Sequence, residues 1–121
     1  MAAKTRPTAC CASAMPPTPL PAATEERLVA GLRAIADPTR LRIVRLLAAQ
    51  DAPLCACDVG EHVGLSQPTV SHHMKTLADA GLVVATRQGV WAYYALDPQG
   101  LADVRDLLGQ LVAPPVKRKS A

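Results

Sequence analysis

The sequence predicts a mainly α domain carrying one β-hairpin, and three observations lead to it. Apolar residues recur at helical spacing in segments bounded by cap and stop signals, among them Asp37-Pro38, Gly64, Ser66, Gly81 and Asp97-Pro98. A single stretch, residues 82–94, changes to β-prone residues around Gly89. Aromatic residues are nearly absent, with no Phe, one Trp and two Tyr, so the core is built from Leu, Val, Ile and Ala, a composition suited to packed helices. A chain of 121 residues makes one compact domain. A core of this size is marginal alone, which favours burial against a second copy.

The elements follow in order. Residues 1–23 hold Pro7, Pro16, Pro17, Pro19 and Pro21 without periodicity, and read as a flexible arm carrying Cys10 and Cys11. The folded domain spans residues 24–113. Thr24 is placed as the cap of a first helix, whose Leu28, Leu32 and Ile35 share one face. Asp37 caps the second helix, with Pro38 at its first position. Its inner face is Leu41, Val44 and Leu47, with Arg42 and Arg45 on another side; Asp51-Ala52-Pro53 ends it. A short third helix runs from Cys57 to Val63 and stops at Gly64. Ser66 caps the fourth helix, Val70, Met74 and Leu77 form its inner face, and Gly81 closes it. Residues 82–86 and 90–94 are the strands of a hairpin whose loop is Arg87-Gln88-Gly89. Asp97-Pro98 opens a last helix with Leu101, Val104, Leu108 and Leu111 on one face. Residues 114–121, with Lys117, Arg118 and Lys119, form a disordered basic tail, read most simply as a solubilising end.

Two short helices joined by Gly64-Leu65-Ser66 and followed by a hairpin make a winged helix-turn-helix. In that geometry the second helix of the pair enters the DNA major groove. Its outer face offers Gln67, Thr69, Ser71, His72 and Lys75, and Arg87 is expected at the hairpin tip, against backbone or minor groove. Gln pairs with adenine by two hydrogen bonds, Ser with base edge or phosphate, and Lys with guanine or phosphate. An ordinary solvated helix face carries the same polar pattern. His73, one turn from Val70 and Leu77, is expected half-buried and structural. The net charge of +3 permits a nucleic-acid partner without demanding one.

No apolar run reaches membrane-spanning length, and the N-terminus lacks the continuous apolar stretch of a signal peptide. The expected compartment is the cytoplasm, where thiols stay reduced. Four cysteines there point to metal ligands or redox groups before disulfides.

Two longer stretches sharpen this reading. Ala36-Asp37-Pro38-Thr39-Arg40-Leu41-Arg42-Ile43 resembles the second-helix signature of the ArsR/SmtB family of metal-responsive repressors. Residues 65–75, Leu-Ser-Gln-Pro-Thr-Val-Ser-His-His-Met-Lys, followed by Ala80-Gly81-Leu82-Val83, look like that family's recognition helix. The likeness covers roughly residues 24–112. It implies a homodimer with the last helix, and the first beside it, at the interface, and an operator of two-fold symmetry bound by the ligand-free protein. Leu54-Cys55-Ala56-Cys57-Asp58 resembles the box of arsenic-sensing and cadmium/lead-sensing members, which lies at the start of the helix before the recognition helix. Ligand bound there acts directly on the DNA-reading unit.

The expected metal ligands are Cys10, Cys11, Cys55 and Cys57. Thiolates select soft ions, here As(III) or Sb(III) first and Cd, Pb or Zn as the alternative. As(III) takes three thiolates and cadmium prefers four. The flexible arm folds over the site to add sulfur; an adjacent cysteine pair looks closer to arsenic sensors. On an ideal helix, positions i and i+2 stand about 200° apart. Cys55 and Cys57 therefore share one ion only if the first turn is distorted or the helix begins later; otherwise Cys57 is a spare thiol. The last helix offers Asp97, Asp103 and Asp106 but no His, which argues against the family's zinc-type site there. A thiol redox switch on the same fold is the competing mechanism. No catalytic set or phosphate-cradling loop is present, so an enzyme is not expected.

Overall fold

The computed structural model describes residues 14–112. In chain order the elements are α1 (Ala22–Ile35), α2 (Pro38–Ala48), β1 (Leu54–Cys55), α3 (Ala56–Val63), α4 (Gln67–Asp79), β2 (Val83–Gln88), β3 (Trp91–Leu96) and α5 (Pro98–Val112). The fold is a winged helix-turn-helix: α3 and α4 are the helix pair, and β2 and β3 are the wing. Cys10 and Cys11, and the basic tail, lie outside the described residues.

Local chemistry sets the helix ends. The Asp37 side chain accepts a hydrogen bond from the Arg40 backbone N–H at 3.0 Å, with Pro38 beginning α2. That bond, aided by the Arg40 guanidinium, holds the Asp37 carboxyl below the usual carboxylate range. Ser66 caps α4 by accepting from the Thr69 N–H at 3.4 Å. Replacing Ser66 by alanine is expected to lower stability by about 1 kcal/mol, the usual cost of a lost cap, read as a reduced urea midpoint with unchanged slope. The first helix departs from expectation. It starts at Ala22 rather than at a Thr24 cap, because the Pro21 carbonyl already accepts the Glu25 N–H at 3.0 Å.

The core lies beneath the helix pair. Ile43, Val59, Val70, Met74, Leu77 and Leu82 are fully buried, so the expected inner face of α4 holds. On α2 the inner residues are Ile43, Val44 and Leu47, while Leu41 is exposed. Leu41 stands about 200° from Ile43 around the helix, and Ile43 takes the core position. His73 is half-buried, as expected, and its Nδ1 lies 3.4 Å from Arg40 Nη1. Arg40 Nε also donates to the Ala34 carbonyl at 2.6 Å, so one side chain joins the end of α1, α2 and α4.

The sheet order is β1-β3-β2, all antiparallel. The wing differs from the expected hairpin. Arg87 and Gln88 belong to β2, paired with Ala92 and Trp91, and only Gly89-Val90 connects the strands. Gly89 has φ +63°, which a glycine supplies freely at the first position of a two-residue turn. Arg87 therefore lies on the wing's shaft, exposed, not at its tip. The two-residue strand β1 was not expected. It pairs Leu54 with Tyr94 and Cys55 with Tyr93.

The last helix is only half covered. Val104 is buried against α1, where Arg27 reaches Asp103 at 3.4 Å. Leu108 is 45% and Leu111 72% exposed, so the far half of the expected apolar stripe faces outward. Among the described residues no helix is long and apolar enough to cross a membrane.

Candidate functional site

The turn between α3 and α4 sets the site. Gly64 ends α3 in the left-handed region, φ +74°, and the Gly60 carbonyl accepts from both Gly64 N at 2.8 Å and Leu65 N at 3.0 Å. A Cβ on Gly60 would lie 2.7 Å from the Leu65 carbonyl oxygen, so the turn folds back against α3 only because residue 60 has no side chain. Val59 and Val70, fully buried, lock the pair from within.

On the outer side of α4, Gln67, Ser71 and Lys75 recur at i, i+4 and i+8, with Thr69 and His72 alongside, and all five are exposed. The face is partly engaged within the chain. The Thr69 hydroxyl lies 3.0 Å from the Ser66 hydroxyl. Lys75 Nζ pairs with Asp79 at 3.2 Å, and both side chains are open to solvent. Such a surface pair is worth at most about 1 kcal/mol, so a phosphate can displace the carboxylate. Arg87 extends the polar surface along the wing, and the exposed Val90 and Trp91 cap it with an apolar tip that sequence periodicity did not single out. Their signal is the two-residue turn itself, which leaves no residue to cover them.

Cys55 and Cys57 meet at the start of α3 by the second of the two routes open to them. The helix begins at Ala56, and Cys55 is its extended N-cap residue, φ −79° and ψ 162°. One sulfur therefore leaves from a strand and the other from the second helical residue, which removes the 200° separation. The Cys55 thiol donates to Asp58 Oδ2 at 3.3 Å. The Cys57 thiol, although exposed, is held above its ordinary range by the partial desolvation of its sulfur, with the neighbouring Cys55 and the Asp58 carboxylate adding to the rise. Asp58 was not expected in a specific role; its place three residues beyond an N-cap, where an acid reaches back to the cap, was the available signal. The Cys57 thiol donates to Gln67 Oε1 at 3.7 Å, across the helix pair. Among the described residues no three His, Cys, Asp or Glu side chains converge as a metal site. On α5, Asp97 caps the Gln99 N–H at 3.0 Å, Asp103 holds Arg27 and Gln99, and Asp106 holds Arg105.

Comparison with known proteins agrees with this architecture. Residues 37–84 match the family described as bacterial regulatory protein, arsR family. The arsenical resistance operon repressor of Staphylococcus xylosus is 46% identical over 70 residues, covering 58% of this chain and 65% of that protein. A probable mercury resistance operon repressor of Streptomyces lividans is 39% identical over 72 residues, covering 60% of this chain and 56% of that one. The chain thus spans somewhat over half the length of these two relatives. A solution structure of a homodimeric winged helix-turn-helix DNA-binding domain from Mycobacterium bovis, a possible ArsR-family regulator, superposes with a TM-score of 0.60 at 31% identity, over 76% of this chain and 82% of that one. With helix pair, wing and second-helix signature all in register, the chain belongs to the arsR family of bacterial DNA-binding transcriptional regulators.

Proposed function

We propose that this protein is a homodimeric cytoplasmic repressor that leaves its operator when Cys55 and Cys57 bind As(III) or Sb(III). The observation that carries the reading is the pair of neighbouring thiols at the start of α3, the first helix of the DNA-reading pair, with one of them reaching α4. Similarity to an arsenical resistance repressor supports the ion class, and similarity to a mercury resistance repressor supports a soft thiophilic ion more generally.

The donor set suits such an ion. Two sulfurs stand together, and a trigonal thiolate site needs a third, which Cys10 or Cys11, N-terminal to α1, supplies. The ion contributes bonds to sulfur that replace the thiol protons. Cys55 then no longer donates to Asp58, and Cys57 no longer donates to Gln67. Gln67, Thr69, Ser71, His72 and Lys75 read the operator from α4, and Arg87 contacts it from the wing. Release follows from linkage: the ion shifts the equilibrium only by its preference for free over DNA-bound protein.

Fluorescence anisotropy on the upstream DNA, titrated with arsenite and with cadmium under a phosphine reductant, tests the reading. Release at about one arsenite per protomer is expected. Release by cadmium alone moves the assignment to a four-thiolate metal sensor, and release by neither overturns ion sensing.

The dimer rests on α5. Its exposed Leu108 and Leu111 continue the stripe that Val104 begins, an apolar surface of the kind that pairs. The similar M. bovis domain is homodimeric. Leu108→Glu is expected to halve the mass seen in sedimentation and to weaken operator binding at least tenfold, because each half-site contact is then made alone. A variant that stays dimeric removes α5 from the interface.

A further inference from the structure

We infer that Gln67 is a positioning residue, held in a donor-outward pose by the Cys57 thiol and released when that sulfur is taken. The inference deepens the proposed function and rests on it for the release step. It begins from the contact itself: Cys57 Sγ–H to Gln67 Oε1, 3.7 Å, between the second residue of α3 and the first of α4. The scaffold around it is closely tied. The two helix ends are tied by the paired hydrogen bonds to the Gly60 carbonyl, by the Ser66 cap, and by the fully buried Val59 and Val70.

A glutamine side chain has two different ends, an acceptor oxygen and a donor NH2. With Oε1 engaged by the thiol, the NH2 end is the one left wholly free for DNA. Gln67 then donates to guanine N7 or O6, thymine O4 or a phosphate oxygen, and the two-point pair with adenine, which needs both ends, is disfavoured because the thiol takes one of the two Oε1 lone pairs and fixes the amide's orientation. In the thiol form a donor contact from Gln67 is therefore preferred over the two-point adenine pair.

Ion capture reverses the arrangement. As each sulfur–arsenic bond forms, one S–H bond breaks, and the proton leaves with an arsenic-bound hydroxide as water; no electrons are transferred. The Cys57 sulfur now carries no proton to donate, and its lone pairs oppose those of Oε1. Gln67 loses the partner that set its pose, at the position where α4 begins. A side-chain proton on α3 is thereby converted into a change of the hydrogen-bonding face on α4.

Two measurements decide it. The first compares operator affinity with and without arsenite for the wild type and Gln67→Leu, each at full loading verified by the ultraviolet sulfur–arsenic absorbance. Gln67→Leu binds DNA more weakly without arsenite, and its ratio of the two affinities is expected to fall roughly five- to tenfold below the wild-type ratio. A Gln67→Leu ratio equal to wild type overturns the inference while leaving the ion reading intact. A wild type that keeps its DNA when loaded overturns the ion reading, and the release step with it. The second measurement needs no ion. Binding-site selection from a randomised duplex, with the Gln67-contacted base pair marked by the preference that Gln67→Ala loses, is run on the wild type and Cys57→Ala. A gain of adenine at that position in Cys57→Ala supports the donor-outward pose, and the same base in both overturns it.

Discussion

Replacing Cys55 by serine is expected to abolish release from DNA by arsenite. Allosteric coupling between two sites typically runs to about 5- to 150-fold in affinity, and the serine chain should show a ratio near one. The exchange is sharp because serine preserves what the position does structurally. Cys55 is the extended N-cap of α3 without a side-chain cap bond, and serine is among the best residues for that place. The hydroxyl can still donate to Asp58, as the thiol does at 3.3 Å. What it lacks is softness: an alcohol oxygen is a poor ligand for a thiophilic ion. Anisotropy with and without arsenite reads the ratio, and urea unfolding confirms that α3 keeps its footing. Full arsenite release from the serine variant would remove Cys55 from the site.

Truncating Leu77 to alanine is expected to cost 2–5 kcal/mol, in the range typical of buried leucine, measured by urea denaturation. Leu77 is fully buried and belongs to one cluster with Ile43, Met74, Leu82 and Tyr94, so the cavity opens where α2, α4 and the wing meet. Against a total of about 5–15 kcal/mol for a natural domain, that loss leaves a substantial unfolded population near the growth temperature. Operator affinity should fall with it, since the inner face that fails is the support of the outer face that reads. A loss below about 1 kcal/mol would mean that α4 is held by something other than its apolar face.

What the sequence made legible, and what it hid, follow one rule. Features written in neighbouring residues were readable. The Asp37 and Ser66 caps, the Gly64 and Gly81 stops, and the Val70, Met74 and Leu77 face each depend on chemistry within four residues. Features made by distant partners were not. The strand β1 exists because Leu54 and Cys55 meet Tyr94 and Tyr93, some forty positions later, and no local pattern announces two residues. Leu41 was misassigned because its spacing to Val44 and Leu47 is helical, yet Ile43 fits the same core from the other side. The hairpin loop, expected at Arg87-Gln88-Gly89, falls at Gly89-Val90, since Arg87 and Gln88 have no turn chemistry of their own and pair with Ala92 and Trp91 opposite. Of the candidate site, the thiol pair and the polar helix face were legible. The contact joining Cys57 to Gln67 was not, because it depends on how closely the turn after Gly60 folds back on α3.

The small strand β1 has a mechanical consequence. Because Cys55 pairs with Tyr93, the residue that carries the sulfur is also a rung of the sheet whose other two strands form the wing. A pull on residue 55 is therefore a pull on a lever with two arms. One runs through α3 to α4, the helix proposed to read the operator, the other through β3 to the hairpin beside it. A grip on a duplex needs both fingers at a fixed spread, and a change of spread loosens it even when neither finger has changed its own shape.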